Sequence, residues 1–67
     1  MTLQPGDLVQ YRQDPGRWAI IINVDTTRTG AEVCELVIVH DKSFPDTVGE
    51  KRYTNQDYWR KIPQKPI

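Results

Sequence analysis

The stretch Trp18-Ala19-Ile20-Ile21-Ile22-Asn23-Val24 is the longest run of aromatic and β-branched residues in the chain. Such a run predicts a β-strand, because these side chains pack well on a pleated surface. A second run of similar composition extends from Glu32 to His40, beyond a polar loop that contains Gly30. The two runs predict a long β-hairpin, with the remaining segments wrapped around it.

Each strand of this hairpin carries apolar residues on both faces, since side chains alternate along a strand. One face of the first strand is expected to hold Trp18, Ile20, Ile22 and Val24, and the other face Ala19, Ile21 and Asn23. One face of the second strand is expected to hold Cys34, Leu36 and Ile38, and the other face Val33, Val37 and Val39. Two compatible explanations are open: the strands bend to serve both sheets of a small barrel, or their second face is buried against another subunit. Because two neighbouring strands share this property, we favour an oligomer.

Three shorter strands are expected around the hairpin, at residues 8–12, 47–53 and 59–62, the middle one weakened by Gly49. Asp14-Pro15-Gly16 predicts a turn, and residues 54–57 predict a single tight turn, for which a 3₁₀ turn is one option. This order of elements predicts an all-β fold, a small five-stranded SH3-like barrel. The chain is then one domain at residues 1–67, with an ordered core at about residues 5–62 and a short tail at 63–67.

Length and composition limit what can stabilise this domain. A chain of 67 residues buries only ~60% of its unfolded surface, so its core is marginal. Cys34 is the single cysteine, which excludes a disulfide within the chain. One cysteine with one histidine, His40, also argues against a structural zinc site. Self-association, or docking on a larger partner, remains as the source of further stability.

The formal net charge is zero, which permits copies to associate and argues against a bulk affinity for nucleic acid or an anionic membrane. Residues 31–50 are mostly acidic and residues 51–67 mostly basic. Either one part of the surface is acidic and another basic, or the two signs pair within the molecule. Residues 1–4 lack the features of an export signal, and no apolar run approaches the ~20 residues of a membrane span. We therefore expect a cytoplasmic protein with no membrane partner.

Two segments carry a resemblance to a known group. The chain opens with Pro5-Gly6-Asp7-Leu8-Val9 and closes with Tyr53, a short turn and Asp57-Tyr58-Trp59-Arg60-Lys61-Ile62. Over about residues 5–62 this pattern resembles the small SH3-like barrel proteins of tailed phages, whose fold is similar to KOW and Tudor-type modules. The resemblance implies an accessory or structural protein without enzymatic activity, located in the host cytoplasm or in the virion if it is phage-encoded.

A second SH3-like group, the plasmid-borne type II dihydrofolate reductases, forms tetramers with an active site where subunits meet. Their pore carries Val-Gln-Ile-Tyr, whereas the corresponding place here is Glu50-Lys51-Arg52-Tyr53, in which only the tyrosine matches. We therefore predict no enzyme, no catalytic residue, no cofactor and no metal site. His40 and Asp41 are strand neighbours and point to opposite faces, so His40 is more simply a surface or capping residue. Cys34 alternates with apolar residues and is more simply a small core residue.

The side chains most suited to a partner are an aromatic and basic cluster near the end of the chain and one loop residue. They are Lys51, Arg52, Tyr53, Tyr58, Trp59, Arg60, Lys61 and Phe44. Tyr11 and Trp18 join the cluster if the first and last strands pair. Phe44 either plugs one end of the barrel or forms an exposed contact at a loop tip.

These residues support two functional interpretations. Trp, Tyr and Arg are the usual anchors of protein interfaces, so we predict a non-enzymatic protein-interaction module that self-associates or joins a larger particle. Aromatic rings beside cations also suit single-stranded nucleic acid, and the alternative is a KOW-like nucleic-acid-binding protein that uses the same surface. The neutral charge is the main argument against the alternative, because phosphate neutralisation dominates such affinity.

Overall fold

The predicted hairpin forms the centre of the structure, a computed structural model that describes residues 3–63. Five strands form one sheet in the order β4-β3-β2-β1-β5. They are β1 (Leu8–Tyr11), β2 (Arg17–Thr26), β3 (Glu32–Asp41), β4 (Lys51–Asn55) and β5 (Trp59–Lys61). Neighbouring strands are antiparallel throughout, which confirms the all-β prediction. Within residues 3–63 no ladder joins β4 to β5, so the closed SH3-like barrel stays a prediction.

The fourth strand begins later than predicted. A short 3₁₀ helix occupies Pro45–Thr47, and Thr47 Oγ1 lies 2.8 Å from the carbonyl oxygen of Phe44 and 3.2 Å from the Asp41 carboxylate. Proline suits the start of a helical turn because its φ is already fixed. These contacts hold the chain in a tight turn, so β4 starts at Lys51 and not at residue 47.

The turn between β4 and β5 is a second 3₁₀ helix, at Gln56–Tyr58. The 3₁₀ option is therefore confirmed, although Thr54 and Asn55 belong to β4. The Asn55 side chain accepts the N–H of Asp57 at 3.0 Å, which is the usual cap at such a start.

The ordered part of the chain extends slightly beyond the predicted core at its beginning. Leu3 is only 7% exposed and packs in the core, although we expected order from about residue 5. Of the predicted tail, residue 63 is described, and residues 64–67 lie outside the described residues.

A β-bulge in the hairpin changes which face one residue occupies. The register passes from Ile21 opposite Leu36 to Asn23 opposite Glu35, so Ile22 has no partner. An extra residue of this kind shifts the alternation by one position. Val24 consequently packs against the core, and the prediction that it shares a face with Trp18 was wrong.

The core lies on the inner face of the curved sheet and is built by all three central strands and β5. Its buried members are Leu3, Val9, Ala19, Ile21, Cys34, Leu36, Ile38 and Trp59. Each large apolar side chain contributes about 1.5–3 kcal/mol when it is removed from water. The opposite face of β2 remains open: Trp18, Ile20 and Ile22 are 38–40% exposed. The second apolar face of this strand is therefore not covered by the part of the chain that the structure describes.

Candidate interaction site

The structure divides the predicted aromatic and basic cluster between two edges of the sheet. Lys51, Arg52 and Tyr53 lie on β4, one edge strand, and all three are exposed. Tyr58, Arg60 and Lys61 lie on the second 3₁₀ helix and on β5, the other edge strand, and they are exposed as well. Three strands separate β4 from β5 in the hydrogen-bonded order, so the two groups do not form one continuous strand surface.

Trp59 belongs to the core, so the prediction that it is a surface contact was wrong. Its side chain is 3% exposed, because β5 pairs with β1 and sets Trp59 opposite Tyr11 on the inner face. The two rings lie 5.1 Å apart, and Tyr11 also meets Tyr58 at 6.5 Å. Tyr11 therefore joins this cluster as predicted, whereas Trp18 packs beside His40 at 5.3 Å instead.

Some of the predicted cations are already paired. Arg52 donates to the Glu50 carboxylate at 2.9 Å, and Lys61 lies 3.4 Å from the Asp7 carboxylate. Lys51 and Arg60 form no ion pair with any described residue. Pairing lowers the positive potential available to phosphate groups. The ion pairs of the structure therefore weaken the case for nucleic-acid binding that the number of basic residues had made.

Residues that the candidate set left out form an exposed apolar surface. We define the outer strip as Trp18, Ile20 and Ile22 of β2 with Val37 and Val39 of β3. Three of the five are exposed by 38% and Ile22 by 40%, and Val37 is half-buried. The signal for this surface was already present in the sequence, as apolar residues on both faces of two neighbouring strands.

The sheet register shows that the outer strip is continuous across strands. Ile20 lies directly opposite Leu8 on β1 and Val37 on β3. Residues directly opposite on neighbouring strands have Cβ atoms only about 4.5–5.5 Å apart. These three apolar side chains are therefore neighbours on one face of the sheet, and Leu8 extends the apolar surface of the outer strip onto β1.

Trp18 is held in a fixed orientation within the outer strip. Its Nε1 donates to the carbonyl oxygen of Pro15 at 2.8 Å, and its ring lies 5.3 Å from that of His40. An anchor that is already ordered loses little conformational entropy when it binds. The indole ring therefore exposes its apolar face to a partner, while its N–H group is already hydrogen-bonded.

Charged side chains border the outer strip. Lys51 lies opposite Val37, Arg60 lies opposite Gln10 on β1, and Glu35 lies opposite Asn23 next to Ile22. An apolar centre with charged residues around it is the usual composition of a protein interface.

Phe44 is 58% exposed, so it lies exposed at the tip of its loop and does not plug one end of the sheet. Its loop is organised by Asp41, which is 3% exposed. Asp41 accepts from Arg17 Nε at 2.8 Å and from the N–H groups of Ser43 and Phe44 at 3.1 and 3.0 Å. Burial alone raises the pKa of Asp41, but the hydrogen bonds from Arg17, Phe44 and Thr47 more than offset burial and lower it. The loop that carries Phe44 is thereby fixed.

The residues considered for chemistry have structural roles. Cys34 is fully buried, and burial raises the pKa of its thiol. The Asp41 carboxylate is engaged with Arg17, while His40 packs on Trp18. Residues 3–63 contain no group of three or more His, Cys, Asp or Glu side chains that could hold a metal ion. They also contain no helix long and apolar enough to cross a membrane.

No protein-family model, curated protein or solved structure was found to match the chain.

Proposed function

We propose that this chain is a non-enzymatic protein-interaction module that self-associates through the outer strip. The observation that carries the proposal is the exposure of Trp18, Ile20, Ile22 and Val39, by 38–40% each, on two adjacent strands. Contiguous apolar patches on small proteins mark interaction sites. The accessory or structural phage-type role, which the sequence resemblance implies, and the cytoplasmic location, which we expected from the lack of an export signal, remain part of this proposal.

A second copy of the chain is the partner that best fits the outer strip. The net charge of zero gives two copies little mutual repulsion. A patch on a sheet face can meet its own twofold copy, because the same surface serves both partners. Two sheets that pack face to face also bury their central residues most fully, and here these residues are Ile20 and Val37. The marginal core of so short a chain gains stability from such an interface.

Sedimentation equilibrium of the wild type and of Ile20→Ser tests this proposal. The wild type should sediment as a multiple of the subunit mass, and Ile20→Ser should weaken its association constant by about tenfold or more, since each such factor corresponds to ~1.4 kcal/mol. Val48→Ser is the matched control, because Val48 is 48% exposed and lies outside the outer strip. A wild type that stays monomeric at its solubility limit, or an Ile20→Ser variant that associates like Val48→Ser, overturns the proposal.

One observation favours the nucleic-acid alternative as a second candidate. Tyr58 is 50% exposed and meets Tyr11 edge-on, and Arg60, two positions further along the chain, forms no ion pair with any described residue. Stacking rings with a nearby cation suit single strands. Fluorescence anisotropy with labelled single-stranded DNA should then show binding that falls steeply with salt and weakens in Tyr58→Ala. No binding at low salt rejects this candidate.

A further inference from the structure

A groove is lined by residues from the hairpin ends of β2 and β3, from the second 3₁₀ helix and from β5, and none of its lining residues belongs to the outer strip. A cleft of about 450 Å³ is bordered by Leu3, Arg12, Trp59 and Arg60, among other residues. An adjoining depression of about 290 Å³ shares Glu32 and Gln56 with the cleft and reaches Asp25 on β2. Because the two share these residues, they form one surface feature, which we call the end groove.

Trp59, in the wall of the end groove, carries an unsatisfied donor. Its Nε1 is the one buried side-chain nitrogen or oxygen in residues 3–63 that has no hydrogen-bond partner. Leaving such a group unsatisfied destabilises a fold, and it calls for a specific explanation in a folded protein. Trp18 provides a contrast, since its Nε1 is bonded to Pro15. The neighbouring Gln56 donates one hydrogen of its Nε2 to the carbonyl oxygen of Val33 at 3.0 Å.

The end groove is charged oppositely at its two ends. Arg12 and Arg60 border the cleft, and neither pairs with an acidic residue of the described chain. Lys61 adds a cation held by Asp7, and Asp57 together with the shared Glu32 offsets part of this positive charge. The adjoining depression carries two acidic residues, Asp25 and Glu32, and no basic one.

We propose that the end groove binds an extended peptide segment that carries an acidic side chain near one end and a lysine or arginine near the other. The acidic side chain meets Arg12 and Arg60, and the basic side chain meets Asp25 and Glu32. The ring of Trp59 lines the cleft, so a bound peptide changes the surroundings of its Nε1. Charge-assisted hydrogen bonds of this kind are about twice as strong as neutral ones, and they fix the direction of the peptide. Nucleic acid fits poorly, since the acidic end of the end groove repels phosphate groups.

Nuclear magnetic resonance of the indole N–H groups tests this inference without relying on self-association. The Ile20→Ser variant serves as the protein, and Trp18→Phe identifies which indole signal belongs to Trp59. The probes are capped peptides in which glutamate and lysine are separated by one to three alanines, in both orders, with an all-alanine peptide for comparison. The inference predicts that peptides of one order move the Trp59 signal saturably, while the Trp18 signal stays in place.

Charge-removing variants identify the two ends of the end groove. Arg60→Gln and Glu32→Gln should each weaken peptide binding by about tenfold, as expected for loss of a charged hydrogen bond. Arg52→Gln is the matched control, because Arg52 is exposed on β4 and does not border the end groove. The inference is overturned if no peptide moves the Trp59 signal, if both peptide orders act alike, or if Arg60→Gln binds like Arg52→Gln. A peptide that moves only the Trp18 signal also overturns it, and points to the outer strip.

Discussion

Asp41 is the residue on which the loop after the hairpin depends. Its buried carboxylate joins β2, through Arg17, to the N–H groups of Ser43 and Phe44 and to the hydroxyl of Thr47. A buried charge is tolerated only when it is paired and hydrogen-bonded, and Asp41 meets both conditions.

The lowered pKa of Asp41 predicts an acid-sensitive contribution to stability. Because the folded-state pKa lies below the ordinary value of about 3.9, the contribution is complete above that value and is lost as the pH falls through the folded-state pKa. Urea unfolding of the wild type and of Asp41→Asn across this range should show a stability difference at neutral pH that shrinks in acid. Asp46→Asn, at an exposed position of the same loop, should show almost none. Parallel pH profiles for the wild type and Asp41→Asn contradict the prediction.

Trp59 and Tyr53 illustrate that similar aromatic residues of one predicted cluster have different roles. Trp59 is 3% exposed and Tyr53 is 66% exposed. Trp59→Ala should therefore cost about 3–5 kcal/mol of unfolding free energy, whereas Tyr53→Ala should change it by no more than ~0.5 kcal/mol. Trp59→Phe provides a milder variant if the alanine variant does not fold. Chemical denaturation measures all three, and equal costs for Trp59→Phe and Tyr53→Ala would contradict the assignment of Trp59 to the core.

At the scale of the elements, the bulge at Ile22 is the feature that shapes the hairpin. Without it, Val24 faces outward with Trp18 and Ile20. With it, Val24 lies opposite the fully buried Cys34 and packs on the core. Bulges of this kind bend a strand and redirect its side chains, so β2 contributes to the core on both sides of the bulge.

Substitution on either side of the bulge tests this geometry. Val24→Ser should destabilise the fold by about 1–3 kcal/mol, because it puts a hydroxyl among core residues. Ile22→Ser should cost less than ~0.5 kcal/mol in protein dilute enough to be monomeric, since Ile22 is 40% exposed. Simple alternation without a bulge predicts equal effects for the two variants. Equal unfolding free energies would therefore argue against the bulge.

At the scale of the whole molecule, the core and the outer strip lie on opposite faces of one sheet. A partner that covers the outer strip removes from water the apolar surface that the described chain leaves open. Anything that binds only the folded state raises the apparent stability by mass action. Folding and association are therefore expected to be coupled in this protein.

The coupling predicts that thermal stability depends on protein concentration. The wild-type melting temperature should rise with concentration, and that of Ile20→Ser should not. The rise should change little with added salt, because an apolar contact is not screened as charge pairs are. Differential scanning calorimetry at several concentrations measures this. A wild-type melting temperature that is independent of concentration contradicts the coupling.

Local patterns in the sequence were sufficient for the fold class and for the positions of most elements. The runs at residues 18–24 and 32–40 predicted the central hairpin, and the polar residues after β4 predicted the 3₁₀ turn that Gln56–Tyr58 forms. These features depend on composition, alternation and turn chemistry over a few neighbouring residues. The same patterns indicated apolar residues on both faces of the hairpin. They thereby predicted that a partner covers the second face.

Only the tertiary structure decided which residues form the core and which form a surface. The pairing of β1 with β5 buries Trp59, the bulge at Ile22 turns Val24 inward, and the sheet order separates the basic residues of β4 from those of β5. The end groove likewise combines residues from β2, β3, β5, the second 3₁₀ helix and the segment that follows β1. The residues within a segment determine its preference for a strand or a turn. Which side chains are buried, and which ones lie next to each other, depends on strand pairings between residues far apart in the chain.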